Sequence, residues 1–414
     1  MNEADGVTRP RPRALFLAGD LPWPPDGGGR LASYQILEAV CRRYDVDLIA
    51  MADPVGEPNL GPLGDICRSV EVVRLPFTFG RHRIRQILVL ARSLLSRDPY
   101  RLRKFRSREF ERLVRARLRD TAFDLVDCHQ FGVMPLVDLV PAAVPVVAGH
   151  HDVESDLYRL AAKASGDPLR RTVARLEARK LRRAESRLLR RFDHVWVLAP
   201  EDKRLVEAMG VDRASFLPLP SELGSAPAAV PPGHRIISLG SMSWTGVASG
   251  LLWFHDEVLP LIRREVPDVE WELVGANAPS AIRKLDGEPG ITVAGYVDDA
   301  APHLRAARVG IVPLHIAGGI RIKLLNFLGL GLPSVATSVG ARGLTFTDGE
   351  GCFRRDDPEG FARAVTQLLL DDGLWMRTVE RGRAFVAREH SQSRFEAEID
   401  AGIAAAVERH ARVS

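Results

Sequence analysis

Cysteine is scarce: four in 414 residues. Cys41, Cys67, Cys128 and Cys352 lie far apart with no C-x-x-C spacing, which excludes a disulfide framework and a thiolate metal site and leads us to expect a reducing, cytoplasmic setting. Long apolar runs are also missing. No stretch of about 20 apolar residues occurs, so no ordinary membrane span is expected. The polar start MNEADGVTRPRPR, followed by only a short apolar run, is unlike an ordinary signal peptide. Charge of one sign is lacking too, since 57 Lys and Arg against 53 Asp and Glu leave +4, too little to imply a nucleic-acid binder. The segment LFLAGDLPWPPDGGGR carries no G-x-G-x-x-G, which argues against a dinucleotide oxidoreductase. What is present is an ordinary globular composition, 46% hydrophobic and 27% charged, which excludes disorder and a collagen-like repeat.

The length suits two domains. Short apolar runs at Ala14 to Ala18, Val46 to Ala50, Ser69 to Leu75, Leu125 to Asp127, Val144 to Ala148 and HVWVLA alternate with helical periodicity, among them Leu31 to Val40. This reads as a parallel sheet covered on both faces. PLPSELGSAPAAVPPGH, rich in Pro, Ser, Ala and Gly, reads as a linker, and the alternation restarts at RIISLGS with a helix around Leu251 to Glu265. We expect an α/β chain of two doubly wound domains, 1–217 and 235–385, joined by 218–234, with 386–414 a helix packing back on the first domain. Ligands of open α/β sheets bind at the carboxyl ends of the strands, so a cleft between the domains is the expected place for chemistry.

In PLHIAGGIRIKLLNFLGLGLPSVAT a strand, the pair Gly318 and Gly319, and a helix follow one another, with Arg321 and Lys323 in the expected first turn. Free amides and positive charge there suit a diphosphate, although a plain structural turn gives the same pattern. His129, His150 and His151 follow strand-like runs and should emerge at their carboxyl ends, where histidine can bind hydroxyls or move a proton. The pair beside Asp152 and Glu154 lacks a helical metal-binding spacing. Gly27, Gly28 and Gly29 form a glycine loop between the first strand and first helix, either a ligand cradle or a surface turn. Of two arginine-rich stretches, Arg81 to Arg119 suits an anionic membrane surface or a lipid-linked acceptor. The other, Arg170 to Arg191, reads as a solvated amphipathic helix with Leu176, Leu181, Leu188 and Leu189 on one face and Glu177 supporting Lys180.

Taken in order, LGSMSW, GLLWFHDEVLPLI, WELVGANAP, ITVAGYVDDAAPHLRAARVGIVPL, GGIRIKLLNFLGLGLPSVATSVGARGL and DPEGFARAVTQLLLDD resemble the carboxy-terminal domain of GT-B glycosyltransferases of the retaining family 4. LPWPPDGGGRLASYQILEAV and HHDVESDLYRL resemble that family's amino-terminal half. The resemblance implies two Rossmann-like domains and metal-independent sugar transfer, with retention, from a nucleotide donor to an acceptor hydroxyl or amine in natural-product or polysaccharide assembly. It implies no cofactor, a UDP-type nucleotide sugar as co-substrate and a small-molecule, glycan or lipid-linked acceptor. Arg321, Lys323, His151 and His129 are the implied catalytic group. Gly240, Ser241, Trp244, Gly275, Tyr296, Gly318, Gly319, Ile320 and Asn326 are the implied donor contacts, with Gly27 to Gly29, His150 and Glu154 on the acceptor wall. The family's Glu-x7-Glu motif falls on Gly318 and Asn326, so neither glutamate is present. A subgroup with a glycine-rich version of this loop lacks the first. Loss of the second leaves open a non-catalytic partner or a sugar-nucleotide epimerase on the same scaffold.

Overall fold

The computed structural model describes residues 11–53, 56–75, 93, 96–221, 223–225, 227, 229–242, 245–316 and 318–413. The chain divides into two compact units. One comprises Met1–Val197, Asp202–Leu217 and Glu396–Ser414, the other Leu198–Glu201 and Pro218–Phe395.

The first unit is built on seven parallel strands: β1 (Arg13–Ala18), β2 (Asp45–Ala52), β3 (Ser69–Arg74), β4 (Leu125–His129), β5 (Val146–His150), β6 (His194–Val197) and β7 (Ala214–Phe216), in the order β3-β2-β1-β4-β5-β6-β7. Ala14 through Ala18 are wholly buried, as a strand covered by helices on both faces must be, and that is why β1 reads as an uninterrupted apolar run. Its helices include α1 (Gly28–Cys41), α2 (Tyr100–Phe105), α3 (Arg108–Asp120), α4 (Glu154–Ala164) and α5 (Pro168–Leu189). Asp167 caps α5 by accepting from the Leu169 amide at 2.8 Å, with Pro168 at the start of the helix. Two expectations for α5 change. Leu176 is exposed, not on the packed face, because the buried stripe runs through Glu177, Leu181, Ala184 and Leu188. Glu177 and Lys180 do pair, Lys180 Nζ donating to Glu177 Oε1 at 3.1 Å, but the pair is buried and not on a solvated face: Glu177 also accepts from the Tyr100 amide at 2.7 Å, and Lys180 also donates to Ser93 O at 2.6 Å.

The second unit carries six parallel strands: β8 (Arg235–Leu239), β9 (Glu270–Val274), β10 (Ile291–Gly295), β11 (Val309–Val312), β12 (Ser334–Ala336) and β13 (Cys352–Arg354), in the order β10-β9-β8-β11-β12-β13. Phe254, Trp271 and Phe361 pack edge to face in its core, and the Trp271 indole donates to Ser238 Oγ at 3.1 Å. The helix expected at Leu251 to Glu265 begins earlier, as α6 (Thr245–Trp253), and passes through a π turn at Phe254–Val258 into Leu259–Glu265. The wide turn lies just before Pro260, whose ring nitrogen has no hydrogen to donate. Then follow α7 (Ile322–Leu330), α8 (Pro358–Leu370), α9 (Asp372–Glu389) and α10 (Gln392–Val413). From Glu396 onward α10 groups with the first unit, where Arg42 pairs with Glu396 and Arg43 Nε donates to Asp400 at 2.9 Å. Gly402 lets this helix lie against Trp196, since a Cβ there would sit 2.4 Å from the indole nitrogen. No helix among the described residues is long and apolar enough to cross a membrane.

Both units are Rossmann-like. In each, strand order reverses beside the first strand, between β1 and β4 and between β8 and β11, and such reversals open a crevice at the carboxyl ends of the strands.

Candidate functional site

In the second unit, the loops leaving β8, β9 and β10 are tied in a row. Gly240 N donates to Val274 O at 2.9 Å, and Gly275 N donates to Gly295 O at 2.6 Å. Gly240 (φ 120°) and Gly275 (φ 149°) adopt backbone that L side chains rarely reach. Across the reversal, α6 presses on the end of β11 at Gly250, where a Cβ would meet Pro313 O at 1.8 Å.

The segment before α7 differs in detail from the sequence expectation. Gly318 and Gly319 precede the helix as expected, but Arg321 is the N-cap and α7 starts at Ile322, so of the two cations only Lys323 lies in the first turn. Gly319 turns the chain at φ 60°. Gly343 beneath it accepts Ile320 where a Cβ would collide with the Ile320 Cα at 2.6 Å, and the Arg321 amide donates to Arg342 O at 3.3 Å. The first amides of α7 have no intrahelical acceptor, and the side chain of the N-cap residue Arg321 does not cap them.

Lys323 rises from this first turn over the Gly240 backbone, its Nζ 3.1 Å from where a Gly240 Cβ would sit. Burial, and then the neighbouring Arg321, lower its ammonium from 10.5 to about 8. Among the described residues no carboxylate pairs with it. Two cationic side chains and uncapped amides at one crevice are what a diphosphate requires. The remaining donor candidates are spread around this corner. Ser241 and Tyr296 are exposed, Ile320 is buried, and Asn326 Oδ1 accepts from Ser221 Oγ at 3.4 Å. Trp244 lies outside the described residues.

In the first unit a pocket of about 380 Å³ opens at the carboxyl ends of β1, β4 and β5. Gly19, Asp20, Gly29, Arg30, Arg101, Lys104, Gln130, His151 and Glu154 line it. Arg30 is held two-pronged by Asp20 at 2.9 and 3.2 Å. Arg101 Nε donates to the buried Glu154 at 2.8 Å. Burial, with Arg101 alongside, brings the Lys104 ammonium down to about 7, while burial raises the Glu154 carboxyl despite Arg101. His151 stands on the wall with its Nε2 3.3 Å from His129 Nδ1, and His129 Nε2 in turn lies 2.9 Å from the buried Asp127. His129 stacks flat on Phe16 and fits only because residue 149 is glycine, since a Cβ there would lie 2.2 Å from its Nδ1. Burial, then His129 and His150, hold the His151 imidazole neutral, well below its ordinary value.

Three expectations on this wall are corrected. His129 and His150 do close β4 and β5 at their carboxyl ends, but both are wholly buried there. His150 faces Glu185 of α5 at 3.5 Å and is absent from the pocket lining, because its strand neighbours alternate between the two faces of the sheet. Gly28 and Gly29 already form the first turn of α1, with only Gly27 as N-cap, so the glycine loop is shorter than expected and Gly29 alone reaches the pocket. Sequence reading missed Asp20, Arg101, Lys104 and Gln130. Gln130, directly after β4, has φ 72°, a conformation that side chains rarely adopt and the one local irregularity marking the spot. Arg81 to Arg92 lie outside the described residues. Among the described residues no group of three or more His, Cys, Asp or Glu is placed to hold a metal ion.

Comparison with known proteins agrees with this architecture. The family described as glycosyl transferases group 1 matches residues 233–371, and the glycosyl transferase 4-like domain matches residues 27–221. Among solved structures, sucrose-phosphate synthase from Thermosynechococcus elongatus is similar, with TM-score 0.67 and 15% identity over 94% of this chain and 98% of that one. Anabaena HepE in complex with UDP and glucose gives TM-score 0.62 and 13% identity over 95% and 99%. A glycosyltransferase from Rickettsia africae gives 0.61 and 10% over 96% and 99%. A search of curated proteins finds no significant match. With both of its units matched and the GT-B fold in place, the chain belongs to the group 1 glycosyl transferases.

Proposed function

We propose that the protein is a retaining, metal-independent glycosyltransferase of family 4, in the subgroup whose glycine-rich loop replaces the first glutamate of Glu-x7-Glu. A UDP-type nucleotide sugar donates, and an acceptor hydroxyl or amine of a natural product or polysaccharide receives. The observation that carries the reading is Lys323, a half-buried ammonium without a carboxylate partner among the described residues, beside Arg321 at the start of α7. Keeping such a charge out of water costs free energy unless an anion is bound, and a departing nucleoside diphosphate supplies one. The UDP bound to Anabaena HepE supports this donor class.

In the transfer, the bond from the anomeric carbon to the diphosphate oxygen breaks and a bond to the acceptor oxygen or nitrogen forms on the same face. The acceptor proton passes to the departing phosphate oxygen, so no carboxylate base is required. Lys323, Arg321 and the uncapped amides of α7 stabilise the charge that develops on the leaving group. Gly240, Gly275 and Gly319 bring backbone close enough to touch it. Asn326 stands where the ribose-binding glutamate would, fixed by Ser221, and keeps its amide hydrogens as donors to ribose oxygens. The acceptor occupies the pocket of the first unit, with neutral His151 contacting a hydroxyl.

Calorimetric titration with UDP, GDP, dTDP and ADP in the presence of a chelator, followed by NMR of the anomeric coupling in the first product, tests this reading. Failure of all four nucleotides to bind, or an inverted product, would defeat it. Donor affinity should also follow Lys323. Free, it loses its proton near pH 8, and a bound diphosphate raises that value by favouring the charged ammonium. Above pH 8 binding therefore takes up a proton, so affinity is expected to fall as pH rises, by up to about tenfold per pH unit. A titration series across that range measures the slope, and in Lys323→Met the slope should vanish.

A further inference from the structure

The outer face of α5 carries Arg175, Arg179, Arg182, Arg183, Arg187 and Arg190 at its C-cap, all exposed. Both glutamates of the helix, Glu177 and Glu185, point inward and are buried. Among the described residues none of these six arginines pairs with a carboxylate within 4 Å, whereas most arginines elsewhere on this unit do, such as Arg115 with Glu111 and Arg191 with Asp138. All but Arg175 border an open groove of about 900 Å³ whose other wall is Ala208 to Gly210. Arg182 and Arg190 donate to the carbonyls of Ala208 and Met209 at 3.1 and 2.6 Å, which spreads the guanidinium row along the groove. On the same helix two leucines face water: Leu169, 72% exposed, and Leu176, 38% exposed.

We propose that this face of α5 is a docking surface for an anionic lipid bilayer. Unbalanced positive charge in a row attracts phosphate, and Arg is suited to grip phosphate oxygens two at a time. A polyanion such as RNA would satisfy the arginines alone, but it has no use for Leu169 and Leu176. A bilayer takes both, with leucines entering the acyl boundary while arginines meet the headgroups. The net charge of +4 over the whole chain fits a local patch better than a general polyanion binder. The helix is about 33 Å long at 1.5 Å per residue, enough to lie across several headgroups.

The full-length protein should sediment with vesicles of phosphatidylcholine and phosphatidylglycerol and not with phosphatidylcholine alone, and on the order of 0.5 M salt should release it. Each arginine near such a surface contributes about fivefold, so the triple variant Arg179→Gln, Arg183→Gln, Arg187→Gln should lower partitioning on the order of 100-fold. The corresponding lysine variant should retain most of it. Leu169→Ser with Leu176→Ser should reduce it several-fold, and circular dichroism and melting should be unchanged in all of these exposed variants. Wild-type protein that ignores anionic vesicles, a triple glutamine variant that binds them equally, or tighter binding to an RNA oligonucleotide than to vesicles at equal salt would overturn the proposal. UDP binding is independent of this face, so its presence or absence separates this inference from the reading of the active site.

Discussion

Lys323→Met is expected to lower kcat/KM on the order of 100- to 1000-fold and at the same time to leave the protein as stable as before, or more so. The loss corresponds to about 3 to 4 kcal/mol of leaving-group stabilisation, the usual worth of one well-placed donor to a developing anion. The stability result follows from the same geometry. The ammonium has no carboxylate partner among the described residues, and burial already lowers it to about 8, so an apolar side chain of similar length removes a desolvation cost and keeps the packing over Gly240. A lysine serving only the fold would behave the other way, losing stability and sparing turnover. Arg321→Ala should give a comparable loss of turnover, with stability within about 1 kcal/mol. Steady-state kinetics beside a denaturant titration of each variant distinguishes the outcomes. Normal turnover in both variants would remove the diphosphate site from this corner.

Gly275→Ala is expected to unfold or badly loosen the second unit. At φ 149° a Cβ is strained, and it would sit 2.1 Å from Gly240 O and 2.6 Å from Gly240 C, backbone atoms that cannot step aside as a side-chain tip can. Backbone strain of about 1 to 3 kcal/mol and an overpacking cost of similar size add to about 4 kcal/mol, or roughly 10 °C in apparent melting temperature. Because Gly240 is the floor beneath Lys323, any surviving folded protein should bind UDP weakly. Gly64→Ala is the control: a helical glycine with nothing within 4 Å of the added carbon, expected to be neutral or slightly stabilising. Equal melting of Gly275→Ala and wild type would show that the loops after β8 and β9 are not packed as described.

The parallel sheets were legible because strands buried on both faces leave an unmistakable apolar run, as RALFLA and DVDLIAMA do. The start of α7 was nearly legible. Periodicity located the helix, but which residue caps it depends on the seat that Arg342 and Gly343 provide, and these arrive from a later loop. The first-unit pocket was legible only in part. His151 and Glu154 follow β5 in the chain, whereas Arg101 and Lys104 come from a short helix before β4, and nothing local to YRLRKF says that it closes over the strand ends.

By itself the sequence determined the element types, the two α/β halves and the placing of Arg321 and Lys323 together, because periodicity and adjacency are local properties that the chain carries wherever it goes. Only the tertiary structure decided which histidine meets the pocket, since the sheet hides His129 and turns His150 toward Glu185 while leaving His151 on the wall. It also decided that Lys323 is half-buried beside a second cation and that the α5 arginines have no carboxylate opposite them among the described residues. Burial and the neighbours that set a charge's free energy come from segments far apart in the chain, and no window along the sequence contains them.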